Sequence, residues 1–94
     1  MRAQSVYKIP QGKLLKVILD YHKKNNIIKN IWITGDFFAY PEEAIELLEK
    51  QLKNTLLEQE QLQQKIYSII AEYHIQFIGL NAEGLTKGIL MCKS

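Results

Sequence analysis

Few residues in this 94-residue chain have the types and spacing that chemistry needs. The two histidines, His22 and His74, fall on separate elements, and no third ligand stands at metal-binding spacing from them. Cys92 is the sole cysteine. No ordered Cys-His arrangement surrounds it, so it is read as an inert thiol near a frayed C-terminus. Ser5, Ser68 and Ser94 lack a histidine and an acid in a plausible relay. Glu42 and Glu43 are adjacent and splay apart on a helix, which suits the helix dipole better than an acid–base pair. Gln11-Gly12-Lys13 is too short to be a phosphate-cradling loop by itself. No catalytic residue and no metal site is therefore expected within the chain alone.

The composition, 47% hydrophobic and 23% charged, is that of a globular domain. One domain is expected over residues 1–94, with residues 1–9 as a flexible arm. No apolar run is long enough to span a bilayer, and no secretory signal is evident at Met1–Pro10. One cysteine cannot close an internal disulfide, which favours a reducing, cytoplasmic location.

A net charge of +2 conceals an asymmetry. Residues 1–30 hold seven basic residues and one acid, net +6, while residues 31–94 hold five lysines and nine acids, net −4. A basic N-terminal third suits a nucleotide phosphate or an acidic partner. The plainer reading, given to most of these lysines, is a strand pair edged with charge against sheet-to-sheet pairing. The aromatics do not interleave with lysines on one evident strand face, so nucleic acid is not the expected partner.

The elements that must position these residues follow from periodicity. Leu15, Val17, Leu19 and Tyr21 alternate with Lys16 and Asp20, which is strand spacing. Lys23-Lys24-Asn25-Asn26 is a polar turn, and Ile27–Thr34 is a β-branched return strand that ends at Gly35. Pro41 suits the first turn of a helix whose apolar stripe is Ala44, Ile45, Leu48 and Leu52, with Glu46–Lys50 and Glu49–Lys53 as i,i+4 pairs. Thr55 to Glu58 fits a capping box ahead of a second helix with Leu62, Ile66, Ile69, Ile70 and Tyr73 on one face. Asn81 caps a third, carrying Ala82, Leu85 and Ile89, which Gly84 and Gly88 weaken by about 1 kcal/mol each relative to alanine. The order is ββααα. The fold class is α+β, a small antiparallel β-hairpin sheet packed against two or three helices. Trp32 is out of phase with Ile31 and Ile33; it is either an exposed interface anchor or core beneath the helices.

Three stretches carry a family resemblance. Pro10-Gln11-Gly12-Lys13 opens a strand. Ile31-Trp32-Ile33-Thr34-Gly35-Asp36-Phe37-Phe38 closes the hairpin before an acidic-led helix. Phe77-Ile78-Gly79-Leu80-Asn81-Ala82-Glu83 enters the last helix. In that order, from about Tyr7 to Leu90, they resemble the C-terminal accessory domain of lipoate–protein ligases. A free chain of this kind resembles the small subunit of the archaeal two-component ligases.

The resemblance implies a function. The catalytic large subunit of such a heterodimer binds lipoate and ATP with Mg, makes lipoyl-AMP, and passes the lipoyl group to a lysine of a lipoyl carrier domain. The small subunit is needed chiefly for activation and binds no cofactor alone. It is thus part of an ATP-dependent ligase without holding a complete active site. Gly12 and Lys13 become candidate adenylate contacts, where lysine acts as a point charge on phosphate; the plainer role for Lys13 is a strand-edge charge. Gly35, Asp36, Phe37, Phe38 and Trp32 become candidate partner contacts. Asp36 is expected to accept backbone N–H bonds in its turn. Of Phe37 and Phe38, one is expected to plug the gap between sheet and helix while the other faces a partner. The family usually has Gly-Gly-Lys where Gln11-Gly12-Lys13 stands, and Gly84 and Gly88 put the docking of the last helix in question. The alternative is a stand-alone module, such as a sulfur or iron–sulfur scaffold or an RNA-binding domain; the single Cys92 argues against the first.

Overall fold

The structure, a computed structural model, describes residues 1–93, so Ser94 lies outside the described residues. The alternating segments form strands β1 (Arg2–Lys8), β2 (Leu14–His22) and β3 (Ile27–Gly35). They pair antiparallel in the order β1-β2-β3. Leu15, Val17, Leu19 and Tyr21 of β2 face inward, as their spacing requires. On β3 the register shifts at Asp20/Tyr21, so that Tyr21 lies opposite Ile28 while Leu19 lies opposite Ile31. This irregularity lets Ile28 and Ile31, three residues apart, both reach the core.

Helices α1 (Ala44–Gln51), α2 (Gln59–Tyr73) and α3 (Ala82–Met91) cover that inner face. Ala44, Leu48 and Leu52 are fully buried, as are Leu62 and Ile66 of α2 and Leu85 and Ile89 of α3. Each such Leu or Ile contributes about 1.5–3 kcal/mol on leaving water. A second sheet has two strands, β4 (Phe38–Tyr40) and β5 (Gln76–Ile78), paired antiparallel.

The α+β class and the hairpin thus stand, while the expected ββααα order becomes β1β2β3β4α1α2β5α3. The arm over residues 1–9 is corrected most: Arg2–Lys8 is an edge strand, in register with β2 from Arg2 opposite Asp20 to Lys8 opposite Leu14. Ala3 and Tyr7 pack on the core, and a polar contact adds to them. The buried Ser5 hydroxyl donates to the Gly88 carbonyl of α3 at 2.6 Å. Pro41 precedes α1 and is not in its first turn; its carbonyl accepts the Ala44 N–H at 2.9 Å. Thr55 and Glu58 form no capping box. Thr55 instead accepts the Ile28 N–H through its carbonyl, and Glu58 is itself the N-cap, accepting from the Glu60 N–H. Glu49 accepts the Ile33 N–H at 2.8 Å, a helix carboxylate covering the edge of β3 where a surface pair with Lys53 was expected. Asn81 caps α3 as expected, accepting from the Gly84 N–H at 2.6 Å.

The C-terminal helix is docked, contrary to the frayed end expected around Cys92. Gly84 and Gly88 are the reason: a Cβ at 88 would fall 2.5 Å from Leu15 Cδ2, and one at 84 would fall 3.1 Å from Ile9 Cδ1. Bare backbone lets α3 lie flush on the sheet, so packing outweighs the helix-propensity loss. Cys92 is consequently buried, its thiol 3.5 Å from the Ser5 hydroxyl. Burial pushes its pKa up, partly opposed by that contact. Among the described residues no helix is long and apolar enough to cross a membrane.

Candidate docking surface at the junction of three segments

Three stretches distant in sequence meet at one end of the sheet. The first is a tight turn. Gly12 donates its N–H to the Ile9 carbonyl at 2.8 Å, with Gln11 in a left-handed conformation at φ 58°. The Lys8 ammonium closes over this turn, donating to the carbonyls of Gly12 at 2.8 Å and Ile9 at 3.1 Å. The second stretch leaves β3: the Asp36 N–H donates to the Leu14 carbonyl at 3.0 Å. The third follows β5, where the Gly79 carbonyl accepts the Lys13 N–H at 2.9 Å. The register of the small sheet then sets Phe38 directly opposite Ile78.

The outer face of that small sheet is apolar and wet. Phe38 is 63% exposed, Tyr40 53% and Ile78 57%. Their neighbours Ala39 and Phe77 alternate inward and pack on the core. Three large apolar side chains therefore stand exposed on one face of a small protein, which makes this face the candidate docking surface.

The Cys92 thiol is buried on the α3 side of the sheet, against the Ser5 hydroxyl and the Val17 carbonyl. Among the described residues no three His, Cys, Asp or Glu side chains cluster to hold a metal ion. A shallow hollow of about 230 Å³ adjoins the first turn, lined by Tyr7, Ile9, Pro10, Asn81, Glu83, Gly84 and Lys87. A wider groove of about 690 Å³ runs between α2 and α3, where the Tyr67 hydroxyl donates to the Glu83 carboxylate close by.

Residues 12–87 match the profile of the bacterial lipoate protein ligase C-terminus. The chain belongs to this family. This lipoate ligase C-terminal chain is also 40% identical over 70 residues to lipoate-protein ligase A subunit 2 of Thermoplasma acidophilum. That stretch covers 74% of the chain and spans 65% of the relative's length. Its fold matches a chain from the solved structure of an archaeal lipoylation system, a bi-partite lipoate protein ligase and its E2 lipoyl domain, also from Thermoplasma acidophilum. The TM-score is 0.81 at 28% identity, over 95% of this chain and 94% of that one.

In this lipoate ligase C-terminal fold the junction gathers most of the residues singled out in sequence. Gly12, Lys13, Gly35, Asp36, Phe37 and Phe38 all belong to it. Phe37 is partly buried against the core, whereas Phe38 is exposed. Asp36 departs from its expected role: its backbone N–H donates, and its side chain accepts no hydrogen bond among the described residues. Trp32 lies elsewhere, on the solvent face of the main sheet, 39% exposed under the Arg2 guanidinium at 5.0 Å. Sequence reasoning missed Tyr40 and Ile78. The alternation Phe38-x-Tyr40 was the available signal, but each strand of this sheet has three residues, too few to establish a period.

Proposed function

We propose that this chain is the accessory subunit of a two-component lipoate–protein ligase. It docks on a separate catalytic chain and is required for ATP-dependent activation of lipoate to lipoyl-AMP. In that reaction the lipoate carboxylate displaces pyrophosphate from ATP; a carrier-domain lysine then displaces AMP. The observation that carries the proposal is the junction: three family-like segments converge there, beside the exposed Phe38, Tyr40 and Ile78. An exposed apolar patch of this kind suits docking.

Lys13 is the residue proposed to meet the adenylate. Its side chain is exposed at the junction, and its stem lies against Gly79. An ammonium held there supplies a point charge for phosphate. ATP, Mg and lipoate belong to the complex, with the catalytic chain holding their sites. The sulfur-scaffold alternative needs a reactive thiol, and burial of Cys92 with its raised pKa disfavours one.

The test is co-elution. The catalytic chain should elute as a complex with this chain and should separate from an Ile78→Asp variant, which adds a charge to the patch. An unchanged complex with that variant would remove the patch from the interface.

A further inference from the structure

The solvent face of the main sheet is a second exposed surface, of different character from the junction patch. Register sets Gln4, Ile18 and Trp32 in one row across the three strands, and Val6, Lys16 and Thr34 in the next. Val6 is 55% exposed. Lys16 stands exposed between them and makes no hydrogen bond or ion pair among the described residues. Arg2 lies over the Trp32 ring. Asp20, on the same face, sits 3.6 Å from the Met1 amino group, so its charge is offset. The face is cationic with an apolar spine, and Trp32 is the one Phe, Tyr or Trp on it among the described residues. A single ring already covered by a guanidinium makes no stacking platform for single-stranded nucleic acid.

Lasting interfaces are the more apolar ones, whereas charged faces speed short-lived encounters. On the accessory-subunit reading, on which this step rests, the cycle involves two proteins: a catalytic chain that stays and an acceptor domain that comes and goes. We infer that the solvent face of the β1–β3 sheet receives the acceptor domain that carries the lysine to be lipoylated, through an acidic surface of that domain. The junction patch holds the catalytic chain, and Lys16 and Arg2 steer the acceptor.

The experiment uses the reconstituted two-chain complex with Lys16→Glu and, separately, Arg2→Glu. The KM for the acceptor domain should rise about tenfold at low ionic strength and converge on wild type as salt screens the face. Lipoyl-AMP formation should be unchanged. An unmoved KM overturns the inference, and so does an equal loss in lipoyl-AMP formation, which would assign the face to the catalytic chain. Salt-sensitive binding of single-stranded RNA, lost in Lys16→Glu with KM unmoved, overturns it in favour of nucleic acid. Failure of the accessory reading has a separate signature: the catalytic chain activates lipoate equally well alone. Titration of the acceptor domain into this chain by itself then still decides the face, with binding weakened by Lys16→Glu expected and no binding overturning it.

Discussion

Lys13 and Gly79 occupy one another's space: the Lys13 N–H donates to the Gly79 carbonyl at 2.9 Å, and a Cβ on Gly79 would fall 2.4 Å from Lys13 Cγ. Gly79 also adopts φ +86°, a conformation that side chains disfavour. The contact ties the turn before β2 to the segment before α3, and it fixes where the stem of Lys13 lies.

Gly79→Ala should therefore destabilise the fold by about 1–3 kcal/mol, combining left-handed backbone strain with displacement of the lysine stem. Urea denaturation measures this. A neutral result would mean that the junction tolerates a side chain where the geometry leaves no room.

Gln11→Gly should act in the opposite direction. Gln11 holds φ 58° in the Ile9–Gly12 turn. Glycine relieves a strain of about 1–2 kcal/mol but adds unfolded-state entropy worth about 0.4–1 kcal/mol. A net gain of about 0.5–1 kcal/mol in the same denaturation experiment is expected, and a loss would contradict it.

Gly88→Ala sets helix propensity against packing. Alanine favours the helix by about 1 kcal/mol. Its Cβ, 2.5 Å from Leu15 Cδ2, overpacks the sheet–helix contact at a cost of about 1–3 kcal/mol and disturbs the bond from Ser5 to the Gly88 carbonyl. A net loss of about 1 kcal/mol is expected, whereas stabilisation would show that α3 does not lie flush on β2.

The elements that were legible in sequence are those with long, regular apolar spacing. Val17 and Leu19 on β2, Leu48 and Leu52 on α1 and the stretch just after it, and Leu62 and Ile66 on α2 all face the core as read. β1 was missed because Ala3, Ser5 and Tyr7 point inward with little apolar signal, and Ser5 docks by a hydrogen bond. β4 and β5 are too short to show a period. Gly84 and Gly88 looked like flaws because propensity describes a helix alone, whereas Ile9 and Leu15 lie against this one. The candidate site was legible as three separate motifs; their convergence depends on Lys13–Gly79 and Leu14–Asp36 bonds that no local pattern encodes.

Cys92 predicts a pH dependence. Burial raises its pKa, so the folded state holds the thiol proton more tightly than the unfolded chain does. The resulting stability is present below the unfolded thiol pKa of about 8.5 and is lost as pH rises through the folded value. The stability difference between wild type and Cys92→Ala should shrink between pH 7 and pH 10. An identical difference at both would contradict a desolvated thiol.

The accessory-subunit account is tested most directly by titrating this chain into its catalytic partner with lipoate and ATP and following lipoyl-AMP. Formation should rise with each addition and level off at one equivalent, with Ile78→Asp shifting the curve to far higher concentration. A catalytic chain that makes lipoyl-AMP at the same rate with none of this chain added would contradict the account.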